Sequence, residues 1–129
     1  MARKRSPTLT EAELRLMEVL WEKRSATVGE VMAGLPGETA LAYSTVLTTL
    51  RILEQKGFVA HLESGRAYVY HPLVEREEAQ ASATELLVSR FFNNSPGLLA
   101  LRLLERENLD QEELQRLKRM IEHSEDDKA

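Results

Sequence analysis

The sequence has no cysteine among its 129 residues, so it cannot form disulfide bonds, thiolate metal sites or a cysteine nucleophile. It also has no run of 18 or more apolar residues, and membrane insertion is therefore not expected. The basic residues within Met1 to Arg5 are not followed by the apolar core of a signal peptide. These absences favour a protein that works in the cytoplasm.

The patterns typical of enzymes are missing as well. The sequence has no glycine-rich phosphate loop, no cluster of metal-ligand residues and no recognisable pair of catalytic carboxylates. We therefore expect neither an enzyme nor a bound cofactor. A metal site is not expected either, because a hairpin that turns at Ser64-Gly65 would pair His61 with Tyr68 and place His71 on the opposite face.

The net charge of −4 is distributed unevenly along the chain. Residues 1–72 carry nine Lys/Arg and eight Asp/Glu, a net charge of +1, whereas residues 73–129 carry eight and thirteen, a net charge of −5. A polyanionic partner is therefore expected to meet the N-terminal half. We predict two domains that divide at this point, 1–72 and 73–129.

Two capping boxes mark the first helices. Thr10 with Glu13 predicts the start of a helix that continues to about Lys23, and Thr27 with Glu30 predicts a second, shorter helix. A Gly-Leu-Pro-Gly segment ends the second helix.

A third helix and a hairpin follow. The helix is predicted from about Ala42 to Lys56, with Gly57 as its C-terminal cap. Strand-like runs at Phe58–Glu63 and Arg66–His71, joined by Ser64-Gly65, predict a β-hairpin. Three helices followed by a hairpin indicate a winged helix-turn-helix: a mainly α fold with a small β-hairpin wing, followed by a helical dimerisation segment.

The third helix has two different faces. Val46, Leu50 and Leu53 share the side that is expected to be buried, while the opposite side carries short hydroxyl residues, one arginine and no acidic residue. Such a face suits a recognition helix in the major groove, although an ordinary solvated helix face has the same composition. Together with the arginine at the wing tip, the candidate DNA-binding residues are Tyr43, Ser44, Thr45, Leu47, Thr48, Arg51, Gln55 and Arg66.

Three further helices are predicted at about 75–92, 96–107 and 110–123. They contain more leucine than three short helices can bury among themselves, which favours a two-fold homodimer. Packing of these helices against the chain's own winged helix is the alternative. The candidate dimerisation residues are Leu86, Leu87, Phe91, Leu98, Leu101, Leu104, Leu117 and Ile121.

Several segments together resemble the penicillinase and methicillin-resistance repressor family, from Leu9 to about His123. The segments are Leu9–Glu13 with Leu20-Trp21, then Leu41–Leu50, Lys56–Phe58 and Gly65–Tyr70.

The resemblance implies a sequence-specific transcriptional repressor that binds a palindromic operator in double-stranded DNA as a homodimer. It implies a recognition helix around Thr45 to Arg51 and dimerisation through the three C-terminal helices. Control of β-lactamase, cell-envelope or stress-response genes is expected, with a membrane sensor protease as a further partner. A winged-helix adaptor that binds proteins without reading DNA is the alternative.

The sequence departs from this family at two points. Inducible members are cut at an Asn-Phe pair, and the matching position here is Arg102-Leu103, which puts cleavage at this position in doubt. A copper-responsive branch carries C-terminal cysteines, and this chain has none.

Overall fold

The structure is a computed structural model that describes residues 8–106 and 108–128, with side chains described as far as residue 124. The basic segment Arg3–Arg5 lies outside the described residues. The elements are α1 (Glu11–Lys23), β1 (Ala26–Thr27), α2 (Val28–Gly34), α3 (Tyr43–Lys56), β2 (Val59–Ser64), β3 (Ala67–Pro72), α4 (Arg76–Phe91), α5 (Pro96–Arg106) and α6 (Gln111–Lys128). The predicted fold class is confirmed. No helix in the described part of the chain combines the length and apolar character needed to cross a bilayer.

Both predicted capping boxes are present. The Thr10 hydroxyl accepts a hydrogen bond from the Glu13 backbone N–H at 3.1 Å, and the Glu13 carboxylate accepts one from the Thr10 N–H at 2.8 Å. Thr27 and Glu30 repeat this arrangement with the same two distances. In each box the N–H groups of the cap residue and of the third helical residue are thereby satisfied within the chain.

The recognition-helix candidate, α3, ends as predicted and begins one residue later than predicted. Gly57 has a φ of 90°, in the left-handed region that favours glycine, and its N–H bonds to the carbonyls of Leu53 and Glu54. At the other end Ala42 provides no side-chain cap. The first N–H groups of α3 are therefore not capped by a side chain at that position.

The hairpin turns one residue later than the sequence indicated. Ser64 pairs with Ala67, so the two-residue turn is Gly65-Arg66 and not Ser64-Gly65. Gly65 has a φ of 63° and occupies the first turn position, where a glycine is favoured in two-residue hairpins. The register prediction was wrong for this reason, and His61 faces Tyr70 instead of Tyr68.

A third strand completes the sheet. β1 has only two residues and pairs antiparallel with β3, giving the order β1-β3-β2. Sequence patterning did not predict it, because two residues are too few to display an alternation.

One core holds these elements together. α1, α2, α3 and the sheet contribute side chains to a single apolar cluster, and the α4 segment approaches it through Val74 and Ala79. The largest fully buried members are Tyr70, Leu16, Met17, Leu20, Leu50, Leu53, Val31, Val46 and Val59.

The chain forms two compact units that divide within α4, between Leu86 and Leu87. In the C-terminal unit, α5 and α6 each begin with a side-chain cap. The Ser95 hydroxyl accepts a hydrogen bond from the Leu98 N–H, and the Asp110 carboxylate accepts one from the Glu113 N–H. None of the residues of α4 and α5, all of which are described, is buried in the single chain. The functional division at residue 72 stays a prediction.

A buried ion pair connects the ends of α1 and α3. Lys56 Nζ donates to Glu13 Oε1 at 2.7 Å, and Glu13 is only 4% exposed. Burial alone would raise the pKa of Glu13, but hydrogen bonds from Lys56 and from the Thr10 backbone outweigh it and lower the pKa below its ordinary value. The pair fixes the C-terminal end of α3 against the first turn of α1.

Glu13→Ala should lower the free energy of unfolding at neutral pH by about 2 to 3 kcal/mol, because it removes half of the capping box and leaves Lys56 half-buried without its partner. Urea unfolding followed by circular dichroism measures the change. Glu11→Ala is the matched control: Glu11 pairs with Arg15 at 2.8 Å on the surface, and its loss should cost less than about 1 kcal/mol.

The Glu13 contribution should also depend on pH. Since the folded-state pKa is lower than the ordinary value of 4.5, the contribution is present in full above that value. It is lost as the pH falls through the folded-state pKa. A difference between wild type and Glu13→Ala that grows on acidification would contradict this assignment.

Candidate nucleic-acid interface

The two faces of α3 are separated as predicted. Val46, Leu50 and Leu53 are fully buried, which orients the helix on the core. The opposite face is open to solvent, with Leu47 half-buried at its edge. The exposed residues on α3 are Tyr43, Ser44, Thr45, Thr48, Arg51, Ile52 and Gln55.

An open groove of about 370 Å³ joins α3 to the wing and to the start of α2. Arg51 reaches it from α3, and Arg66 reaches it from the hairpin turn. The structure thus brings the two predicted arginines to one concave surface, although they are fifteen positions apart in the sequence. We call this surface the α3–wing groove; it is lined by Thr27, Val28, Gly29, Tyr43, Leu47, Arg51, Arg66, Ala67 and Tyr68.

The wing is attached to α3 by a side-chain pair. His61 Nδ1 lies 2.7 Å from Glu54 Oε1, and the His61 ring centroid lies 4.7 Å from that of Tyr68 and 5.3 Å from that of Tyr70. Burial, followed by the nearby Glu54 carboxylate, raises the pKa of Tyr70. These contacts hold β2 and β3 beside the C-terminal half of α3.

Acidic side chains on the elements that form the groove, Glu54 of α3 and Glu30 of α2, are paired with other groups of the chain. Glu54 pairs with His61, and Glu30 accepts hydrogen bonds from Thr27, which lower the pKa of Glu30. The first turn of α3 contains no acidic residue. Glu63 is the exposed acidic residue of the wing. The groove itself is therefore lined by two cations and no carboxylate.

This geometry suits a polyanionic duplex. An α-helix about 10 to 12 Å across fits the major groove of B-DNA, which is about 12 Å wide. Short hydroxyl side chains allow the helix to approach the base edges closely, and the uncapped start of α3 offers backbone N–H groups. Arg51 and Arg66 are long enough to reach bases or phosphates from two directions.

Sequence reasoning missed part of this surface. Tyr68, Thr27 and Gly29 line the groove but were not predicted. The glycine in the first turn position was the available signal for Tyr68, because a Gly65-Arg66 turn sets the register of the hairpin. No local pattern could place the start of α2 beside the wing, since the sheet contact through β1 brings them together.

Of the predicted dimerisation residues, Leu86 ends the N-terminal unit and the others belong to the C-terminal unit. They lie on the three C-terminal helices, and most are well exposed, with Phe91 at 74% and Ile121 at 58%. Arg102 and Leu103 are both exposed on α5, where Arg102 pairs with Glu105 at 3.3 Å.

Comparison with known proteins identifies relatives along most of the chain. The family model described as "Penicillinase repressor" matches residues 9–123. The penicillinase repressor of Bacillus licheniformis is 29% identical over 92% of this chain and 93% of its own length. The methicillin resistance regulatory protein MecI of Staphylococcus aureus is 21% identical over 88% of this chain and 92% of its own.

A solved structure matches more than half of the chain. The DNA-binding domain of the repressor BlaI has 32% sequence identity and a TM-score of 0.52, covering 59% of this chain and 93% of that domain. The named relatives are transcriptional repressors and not enzymes. The family model matches residues 9–123, which is most of the chain. The chain therefore belongs to the penicillinase repressor family.

Proposed function

We propose that this protein is a transcriptional repressor that binds a palindromic DNA operator as a homodimer. The observation that carries the proposal is the α3–wing groove, where Arg51 and Arg66 meet beside a helix face that is rich in hydroxyl groups and free of carboxylates. The solved structure that is named as the DNA-binding domain of a repressor covers 59% of this chain at 32% identity. A DNA-binding repressor would work in the cytoplasm.

Each predicted residue has a role in this proposal. Arg51 and Gln55 extend far enough to hydrogen-bond base edges, and Leu47 can contact a thymine methyl group. Tyr43, at the first turn of α3, and Arg66, at the wing tip, are placed to contact the sugar-phosphate backbone. The small residues Ser44, Thr45 and Thr48 allow close approach to the bases.

The C-terminal unit supplies the pairing surface. Helices α5 and α6 enclose an open apolar groove of about 780 Å³, lined by Leu103, Leu104, Leu109, Leu114, Leu117, Met120 and Ile121 together with Ala100, Lys118 and Ser124. Apolar surface of this extent favours burial against a second copy, since closed two-fold dimers are the commonest oligomers. In such a dimer the two α3 helices would enter major grooves about 34 Å apart on one side of the duplex.

The regulated genes are proposed from the relatives. Those named penicillinase repressor and methicillin resistance regulatory protein suggest β-lactamase or cell-envelope genes as targets here. A membrane sensor protease would be a further partner. Arg102-Leu103, at the position where the inducible members are cut, argues that induction in this protein does not proceed by cleavage there.

Arg51→Ala should weaken binding to the operator by about 1 to 3 kcal/mol and relax specificity at one base position if Arg51 reads a base. Arg66→Ala should weaken binding to all sequences alike and lower the slope of log affinity against log salt by about 1, because it removes a phosphate contact. Gel-shift titrations measure both effects on a duplex that wild-type protein selects from a randomised pool.

Arg116→Ala is the matched control, since Arg116 is an exposed arginine on α6, outside the α3–wing groove. It should leave the affinity unchanged. Unchanged binding in both Arg51→Ala and Arg66→Ala would refute the assignment of the groove. Failure of wild type to select any palindrome would favour a protein-binding adaptor.

Leu104→Lys should dissociate the dimer, because it places a charge on a side chain of the α5–α6 groove that is 46% exposed in the single chain and would be covered in the pair. Sedimentation should then show a monomer, and affinity for a two-half-site operator should fall about a hundredfold as the second contact becomes independent. Leu62→Lys, at a leucine 67% exposed on the wing, should leave the dimer intact. A Leu104→Lys protein that sediments as a dimer would contradict the assigned surface.

A further inference from the structure

The segment that leads from the wing into α4 is attached to α1 by its backbone. Trp21 Nε1 donates a buried hydrogen bond of 2.8 Å to the carbonyl oxygen of Val74. The two residues are 53 positions apart. This bond fixes the chain immediately before α4 begins.

Two arginines extend the attachment. The Arg24 guanidinium holds the Glu75 carboxylate with two parallel hydrogen bonds of 2.9 and 2.8 Å. Arg76 bonds the Glu18 carboxylate, and its guanidinium carbon lies 4.8 Å from the centroid of the Trp21 ring. The three consecutive residues that lead into α4, at positions 74 to 76, are thus held by positions 18, 21 and 24, which are spaced three apart on α1 and its C-terminal cap.

The backbone at Arg24 has a conformation that an arginine rarely adopts. Arg24 caps the C-terminal end of α1 with a φ of 71°, in the left-handed region where a glycine is favoured and a long side chain is strained. An arginine in this place is unfavourable locally. Its two-pronged bond to a residue 51 positions away supplies a use for the side chain.

Stability is a weak explanation for the charged pairs. The side chains of Arg24 and Glu75 are 57% and 52% exposed, and those of Arg76 and Glu18 are both 46% exposed. Ion pairs this open to water contribute little to the free energy of folding. A paired guanidinium and carboxylate nevertheless define direction well, because two parallel hydrogen bonds fix the relative orientation of the groups.

We propose that these contacts, which we call the α1–α4 clamp, fix the direction in which α4 leaves the winged helix and so determine which separation between two operator half-sites the dimer accepts. The clamp consists of Trp21 with Val74, Arg24 with Glu75, and Arg76 with Glu18. This inference rests on the proposed function, in which the C-terminal helices pair two copies.

Helix α4 is long enough for a small change in its direction to alter the separation of the half-sites that the dimer accepts. The 16 residues of α4 span about 24 Å at 1.5 Å per residue. A tilt of about 10° at the start of such a helix displaces its end by about 4 Å, which is close to the 3.4 Å rise of one base pair. One base pair also rotates a half-site by roughly 35° around the duplex. A loose clamp would therefore tolerate spacings that a firm clamp rejects.

The test uses the full-length protein and the operator that wild type selects from a randomised pool, re-synthesised with the centre shortened or lengthened by one and two base pairs. Arg24→Gly is the chosen variant, because it removes the guanidinium with the rest of the side chain and glycine accepts the φ of 71° without strain. Arg24→Gly with Arg76→Ala removes both charged pairs. Gel-shift titration gives the affinity for each spacing, and a duplex with a single half-site gives the intrinsic affinity.

Wild type should lose about tenfold or more in affinity for a one-base-pair change, since the DNA must twist or bend to compensate. The double variant should lose about threefold or less, with single half-site affinity and sedimentation as a dimer unchanged. Arg24→Lys should fall between them, because a lysine keeps the charge but cannot form the two parallel bonds. Arg15→Ala is the matched control: it breaks the exposed Glu11 pair on α1 and should keep the wild-type spacing preference.

Three results would overturn the inference. An unchanged spacing profile in the double variant would show that the clamp does not set the geometry. An equal loss of affinity at every spacing, with the single half-site also weakened, would assign the clamp to folding alone. Failure of wild type to prefer two half-sites over one would overturn the proposed function together with this inference, and so differs from the first two results.

Discussion

Burial of one side of α3 is the constraint on which the rest of the structure depends. Val46, Leu50 and Leu53 are fully enclosed in the core, so the helix cannot rotate about its axis without exposing them. The hydroxyl face is consequently held outward. Gly57 ends the helix, and the Glu13–Lys56 pair fixes that end against α1, so both the rotation and the end of the helix are determined by contacts remote from the proposed DNA surface.

The same logic extends to the wing and to α4. The His61–Glu54 pair holds the hairpin beside α3, which brings the arginine of the turn and the arginine of the helix to one groove. The α1–α4 clamp holds the start of α4 against α1. In the proposed function, one core thus orients α3 toward the base edges, the Gly65-Arg66 turn toward phosphate and α4 toward the partner copy.

Local patterns predicted much of this molecule because its helices begin and end with local chemistry. The Thr10 and Thr27 capping boxes, the Gly57 cap and the apolar spacing on α3 are contacts within four residues, and each was recoverable from sequence. The contacts that escaped prediction join distant residues. The two-residue strand β1, the approach of α2 to the wing and the Trp21–Val74 bond depend on packing, which no short window contains. The register of the hairpin was predicted wrongly for a different reason: Ser64-Gly65 and Gly65-Arg66 are both acceptable two-residue turns, and the structure has the one with glycine in the first position.

Nuclear magnetic resonance can show directly whether the α3–wing groove is the surface that contacts DNA. Isotope-labelled full-length protein would be titrated with a duplex that carries one selected half-site. We predict that amide signals shift mainly along 43–55 and 65–68, while those of 111–123 stay in place. Shifts concentrated on α6, with those of α3 unchanged, would contradict the account.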